Sequence, residues 1–117
     1  MRPAIKSNPK KDYAKIYNLF SLSLTSLPEK YIREYKFSPI RQWKIDFFFP
    51  RSQLAIEIEG GAWIQGRHNR ASSFIADMEK YNEMAKSRIY LMRFTPEQVE
   101  KGEALIEIEK WFMTGMC

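Results

Sequence analysis

The chain has 117 residues, of which 44% are hydrophobic and 28% charged, enough for one folded domain with a core and too few for two ordinary ones. Nineteen Lys and Arg against fourteen Asp and Glu give a net charge of +5, which favours polyanionic partners over acidic or membrane-embedded roles. A single cysteine, Cys117, excludes an intrachain disulfide, and no apolar run approaches the roughly 18 to 20 residues needed to span a bilayer. Together with an N-terminal stretch, MRPAIKSNPKK, that lacks the apolar segment of a signal peptide, this sets the expectation of a cytoplasmic protein with no membrane partner.

Residues 1–11, with Arg2, Lys6, Lys10, Lys11 and two prolines, read as a flexible basic arm, either a solvated tail or a contact for phosphates. From Asp12 the pattern becomes helical: Tyr13, Ile16, Tyr17, Phe20, Leu24 and Leu27 recur at three- and four-residue spacing. Ser26-Leu27-Pro28-Glu29 has the form of a capping box and predicts a short second helix ending near Arg33. Glu34 to Ser38 is expected as a short strand, and WKIDFFF (43–49) as an aromatic-rich one, with Lys44, Asp46 and Phe48 on one face and Ile45, Phe47 and Phe49 on the other.

Pro50 to Gln53 reads as a turn, so the next strand, Leu54 to Glu59, returns antiparallel. Here Glu57 and Glu59 share one face and Leu54, Ile56 and Ile58 the other, and the hairpin carries Asp46 toward the two glutamates. Gly60-Gly61 ends this strand. A loop with Arg67, Arg70 and the only histidine, His68, follows. A helix over roughly 72–87 is expected to bury Phe74, Met78, Tyr81 and Ala85, with Asp77, Lys80 and Met84 flanking that stripe. Ile89 to Phe94 is a compact strand. Thr95-Pro96-Glu97-Gln98 starts a last helix that turns Val99, Leu105, Ile106, Phe112 and Met113 inward, with Gly102 its weak point. The order of elements gives an α/β domain over 12–117, with a mixed central sheet of about four strands flanked by helices.

Three carboxylates on adjacent strands suit a hard cation such as Mg²⁺, which takes oxygen ligands and activates water for phosphodiester hydrolysis. By spacing alone, the same residues suit the solvated face of a half-exposed sheet better than a catalytic site. One histidine and a terminal cysteine are too few ligands for a zinc site or for a ββα metal nuclease built on His68-Asn69.

The ordered segments IDFFFP, LAIEIEGG, GRH, DMEKYN and YLMRFTPEQV, spanning about residues 42–100, resemble the PD-(D/E)XK nuclease superfamily. The resemblance is to its small branch related to very-short-patch-repair endonucleases and their phage-encoded relatives. It implies a restriction-endonuclease-like core and a Mg²⁺-dependent DNA endonuclease, with Mn²⁺ able to substitute, acting by metal-activated water and leaving a 5′-phosphate. Asp46 and Glu57 would be metal ligands. Glu59 stands where the superfamily usually has lysine and would be a further ligand or hold a metal-bound water, Lys80 would be a displaced lysine, and His68 a proton shuttle or phosphate contact.

Asp77 would orient Lys80 or His68, and one of Asp12, Glu29 or Glu34 is available as an upstream acid. Arg67, Arg70, Arg93, Lys10 and Lys11 would contact DNA. Nicked, mismatched and branched DNA are all candidate substrates, for a nickase or for a Holliday-junction resolvase. The resolvase reading calls for a homodimer. The alternative is a nucleic-acid-binding module of the same fold without catalysis.

Overall fold

The computed structural model describes residues 9–60 and 70–114, with side chains from 13 to 60 and from 74 to 114. Among the described residues no helix is long and apolar enough to cross a membrane. The fold is α/β, with helices before, between and after the strands of a mixed four-stranded sheet. By contact the chain divides into two compact units, one made of the residues up to Pro28 with those from Pro96 onward, the other of Glu29–Thr95.

The first unit is helical. Helix α1 (Pro9–Leu24) starts three residues before the expected Asp12, so the backbone of Lys10 and Lys11 is helical. Proline suits the first helical position, where its missing N–H costs no hydrogen bond. Ile16, Phe20 and Leu24, one turn apart, are the buried edge of its stripe.

No second helix follows. The Ser26 hydroxyl donates back to the Ser23 carbonyl (2.9 Å), and the Thr25 hydroxyl to Leu22 (2.6 Å). These side chains therefore satisfy the last carbonyls of α1 instead of capping a new N-terminus, and 25–30 runs as turns and bends.

The last helix of the sequence pattern is two helices, α3 (Pro96–Glu100) and α4 (Glu103–Thr114), divided at Gly102, whose φ of +81° only glycine adopts freely. The inward edge of α4 is Ala104, Ile108 and Phe112, while Ile106 and Met113, expected inside, are exposed. Four-residue spacing fits one face better than the mixed set did. Helix α1 packs on α3 within this unit.

The second unit holds the sheet, with strands β1 (Ile32–Lys36), β2 (Lys44–Phe49), β3 (Leu54–Ile58) and β4 (Tyr90–Phe94) in that spatial order. Strand β1 begins two residues earlier than expected. The Tyr31 ring lies against Phe47 and Phe49 at 5.8 and 5.7 Å, which anchors the entry to β1. The β1–β2 and β2–β3 pairs are antiparallel; β3 and β4 are parallel, joined through helix α2 (Arg70–Lys86).

Strand β3 is central and buried at every position. One layer of the core is Ile45, Phe48, Ala55, Met84 and Ile89, with Tyr35, Phe37, Tyr81 and Leu91 packed against it. Ile45 joins Phe48 in this cluster although alternation sends them to opposite faces. The β1–β2 register is the same on both sides of Glu34, whose φ is +51°.

Helix α2 is rotated relative to its sequence pattern. Phe74 and Met78 are 63% and 45% exposed and Ala85 faces solvent, whereas Met84 is 1% exposed and Tyr81 half-buried. A seated helix follows the sheet it meets, and here the flat aromatic surface of β2 and the small Ala55 receive Met84 and Tyr81. The rotation turns the 77–80–81–84 edge inward, and so brings Lys80 to the sheet.

Candidate active site

Phe47↔Ile56 is the last β2–β3 pair toward the carboxylates, and one more step of the same register sets Asp46 opposite Glu57. There the side chain takes over from the ladder: Asp46 Oδ2 accepts the Ile58 N–H at 2.8 Å. Glu57 in turn neighbours Arg93 across the parallel β3–β4 pair. Asp46, Glu57 and Arg93 thus form a row across three strands. Ala55 and Glu57 are two apart on β3, so the row lies on the face that α2 covers.

From α2, Lys80 reaches into this row. Its Nζ donates to Glu57 Oε2 at 2.5 Å and to the Lys44 carbonyl at 2.8 Å, with side-chain exposures of 15% for Lys80 and 5% for Glu57. Tyr81 follows it, its hydroxyl donating to Glu59 Oε2 (3.1 Å) and lying 3.5 Å from Glu57 Oε1. Arg93 closes the group, with Nε 3.4 Å from Glu59 Oε2 and its guanidinium 4.7 Å above the Tyr81 ring.

Glu57 is the one buried charged residue among those described. Burial pushes its carboxyl up to about 7, and the hydrogen bond from Lys80 and that ammonium's charge pull it down. A hydrogen bond with Glu59 and the charge of Asp46 push it up again. The ion-pair geometry by itself would predict an ordinary carboxylate, but desolvation dominates at this depth. Burial also raises Glu59, yet its hydrogen bond with Glu57, the charge and hydrogen bond of Arg93 and the Tyr81 hydroxyl outweigh it, so its carboxyl lies below the ordinary value. The two glutamates titrate as a coupled pair, with Glu57 shifted up and Glu59 shifted down. Burial and the charges of Glu57 and Glu59 push the Tyr81 hydroxyl up, so it remains a donor.

The expected site residues divide accordingly. Asp46, Glu57 and Lys80 are brought together, while Glu59 turns to Arg93 and Tyr81. Among the described residues no three Asp, Glu, His or Cys side chains are grouped so as to hold a metal ion. Asp46 and Glu57 do suit Mg²⁺, which binds through one or two carboxylates and keeps waters in its remaining positions.

Arg93, expected at phosphate, is an ion-pair partner with a side chain 45% exposed. Asp77 acts on Tyr81 through its charge, four residues away on α2. Glu29 accepts a hydrogen bond from Ser52 (2.8 Å) and Glu34 pairs with Lys44 (3.5 Å), so both have partners outside the Asp46–Glu57 row. Arg67 and His68, with the side chains of Arg70, Lys10, Lys11 and Asp12, lie outside the described residues.

Tyr81 was read from the sequence as core. Its adjacency to Lys80 was the available signal, because consecutive helical residues near an edge reach neighbouring points of a sheet. Comparison of the chain with family models, with curated proteins and with solved structures returned no match.

Proposed function

We propose that the chain is a divalent-metal-dependent endodeoxyribonuclease of the PD-(D/E)XK type. The observation that carries this reading is Lys80 Nζ beside Glu57 Oε2, one register step from Asp46. An acid, a second acid and a lysine gather at one end of two strands. The lysine comes from α2, and the place two residues after Glu57 that would normally supply it is filled by Glu59. A solvated acidic face loses its support because Glu57 is only 4% exposed. A carboxylate is seldom buried without a partner or a task.

In this reading Asp46 and Glu57 hold Mg²⁺ or Mn²⁺. When bound, the ion supplies charge neutralisation at the phosphate and lowers the pKa of a coordinated water. Lys80 contributes a positive charge beside the scissile phosphate and a donor that orients the attacking water. Ile58 N–H fixes the Asp46 carboxylate, and Tyr81 with Arg93 fixes Glu59. The water oxygen bonds to phosphorus, the P–O3′ bond breaks and the 3′ oxygen departs as a hydroxyl, leaving a 5′-phosphate. Arg67, His68, Arg70, Lys10 and Lys11 are the proposed phosphate contacts.

The test is incubation with linear, nicked, mismatched and four-way-branched DNA, with Mg²⁺, with Mn²⁺ and with chelator. Cleavage is expected only with metal. Glu57→Gln should abolish it, and Lys80→Met should lower the rate by about 10² or more, a typical loss for one positioned charge. Metal-independent binding without any product would leave a nucleic-acid-binding module instead.

A further inference from the structure

The β1–β2 connection, 37–43 (FSPIRQW), is built to hold one apolar side chain out in solvent. Ile40 is 85% exposed, the most exposed large hydrophobic residue among those described. Around it the loop is braced by hydrogen bonds and ring contacts. The Ser38 hydroxyl accepts the backbone N–H groups of Ile40 (3.2 Å) and Arg41 (3.0 Å), and Pro39 fixes the backbone between them. Trp43 is held by the stacked Phe37 ring (6.0 Å, 14°) and by the Arg41 guanidinium 4.1 Å from its centroid. Lys36 donates to Gln42 across the loop (3.1 Å).

This tip is fastened beside the candidate site at two points. Arg41 pairs with Glu79 (3.2 Å), the residue before Lys80 on α2, and the Lys44 carbonyl receives Lys80 itself (2.8 Å). Three cations, Lys36, Arg41 and Lys44, flank the tip, with Glu79 and Glu34 as partners of the last two. A braced apolar point flanked by cations suits a polyanion whose interior is apolar and layered. Duplex DNA is that partner, and isoleucine and proline are among the side chains that open a base step by wedging into it.

We infer that the β1–β2 tip is a DNA wedge, with Ile40 entering between base pairs and the surrounding cations meeting the phosphates on either side. The inference rests on the nuclease reading for its choice of DNA, and it adds how the duplex would be gripped. It favours substrates with a step that unstacks cheaply, such as a mismatch, a nick or a branch point, over uniform duplex.

The full chain carrying Glu57→Gln, in chelator, should be titrated with duplexes bearing 2-aminopurine at a mismatch, a nick or a branch point. Binding should raise the fluorescence several-fold as the probe base unstacks. Adding Ile40→Gly should remove that rise, and Ile40→Asp should weaken binding at least tenfold, with thermal melts confirming that both variants fold. An unchanged rise and affinity in both variants overturns the wedge, as does failure of the Glu57→Gln chain to bind any of the duplexes. The two readings fail separately. Unstacking by Ile40 in a chain whose native form never cuts DNA refutes the nuclease and keeps the wedge; cutting that survives Ile40→Gly with the fluorescence rise intact refutes only the wedge.

Discussion

A carboxyl whose ordinary value is 4.5 and whose folded value is about 7 makes folding depend on pH in a definite direction. Below about 4.5 Glu57 is protonated folded or unfolded. Between 4.5 and about 7 the unfolded chain releases that proton and the folded chain keeps it, so the folded state binds more protons and stability falls as pH rises. Above that window Glu57 contributes no further slope. Glu59 acts oppositely: its lowered value adds stability that is present above its ordinary value and lost as pH falls through the folded one. Denaturant titrations of metal-free protein should therefore show native stability declining from pH 4.5 to 7 relative to Glu57→Gln. A glutamine at 57 preserves a donor toward Glu59 but has no proton to release. Parallel pH profiles of the two proteins would show that Glu57 is not held neutral.

At the scale of elements, the seat of α2 decides whether a site exists, because it aims Lys80 and Tyr81. The helix is pinned at its C-terminus by a Schellman arrangement: Ile89 N–H donates to the Met84 carbonyl (2.9 Å) and Arg88 N–H to that of Ala85 (3.0 Å). Met84 and Ile89 meet in the same core cluster, the hydrophobic contact that accompanies this motif. Arg88 pays for the turn with φ +61°, a conformation that costs a side-chain-bearing residue about 1–2 kcal/mol. Replacing it with glycine removes that strain and adds unfolded-state entropy of about 0.5–1 kcal/mol. Arg88→Gly is expected to stabilise the protein by up to about 1 kcal/mol in chemical denaturation; a loss of stability would mean the arginine side chain, and not the backbone, holds the turn.

For the whole molecule, net charge sets the long-range behaviour. A chain of +5 that neutralises about four to five phosphates releases as many counterions. Its affinity for DNA should then fall by roughly a hundredfold or more between about 50 and 200 mM salt. Binding isotherms of Glu57→Gln across that range measure the slope directly. A flat response would remove polyanion binding as the reason for the basic composition.

Much of the fold was legible because local rules and tertiary packing agreed. The aromatic run 43–49, the turn at Pro50 to Gln53 and the apolar run from Leu54 specify an antiparallel pair, and the parallel β4 follows from the intervening helix. Composition likewise leaves one cysteine, too few for a disulfide within these 117 residues, and a net charge of +5. Periodicity failed where two faces of a helix were both partly apolar, as in α2, since propensity does not record which face the sheet will accept. It failed again at Ser26, whose hydroxyl served the helix behind it instead of one ahead. In the site, strand order alone carries Asp46 toward the two glutamates, and the register of the pair decides that it faces Glu57. The burial of Glu57, the partnership of Glu59 with Arg93 and Tyr81, and the reach of Lys80 onto Glu57 were decided only by tertiary structure. Lys80 and Tyr81 depend on the rotation of α2 about its own axis, which the sequence leaves free until the sheet fixes it, and Arg93 on the parallel register of β4.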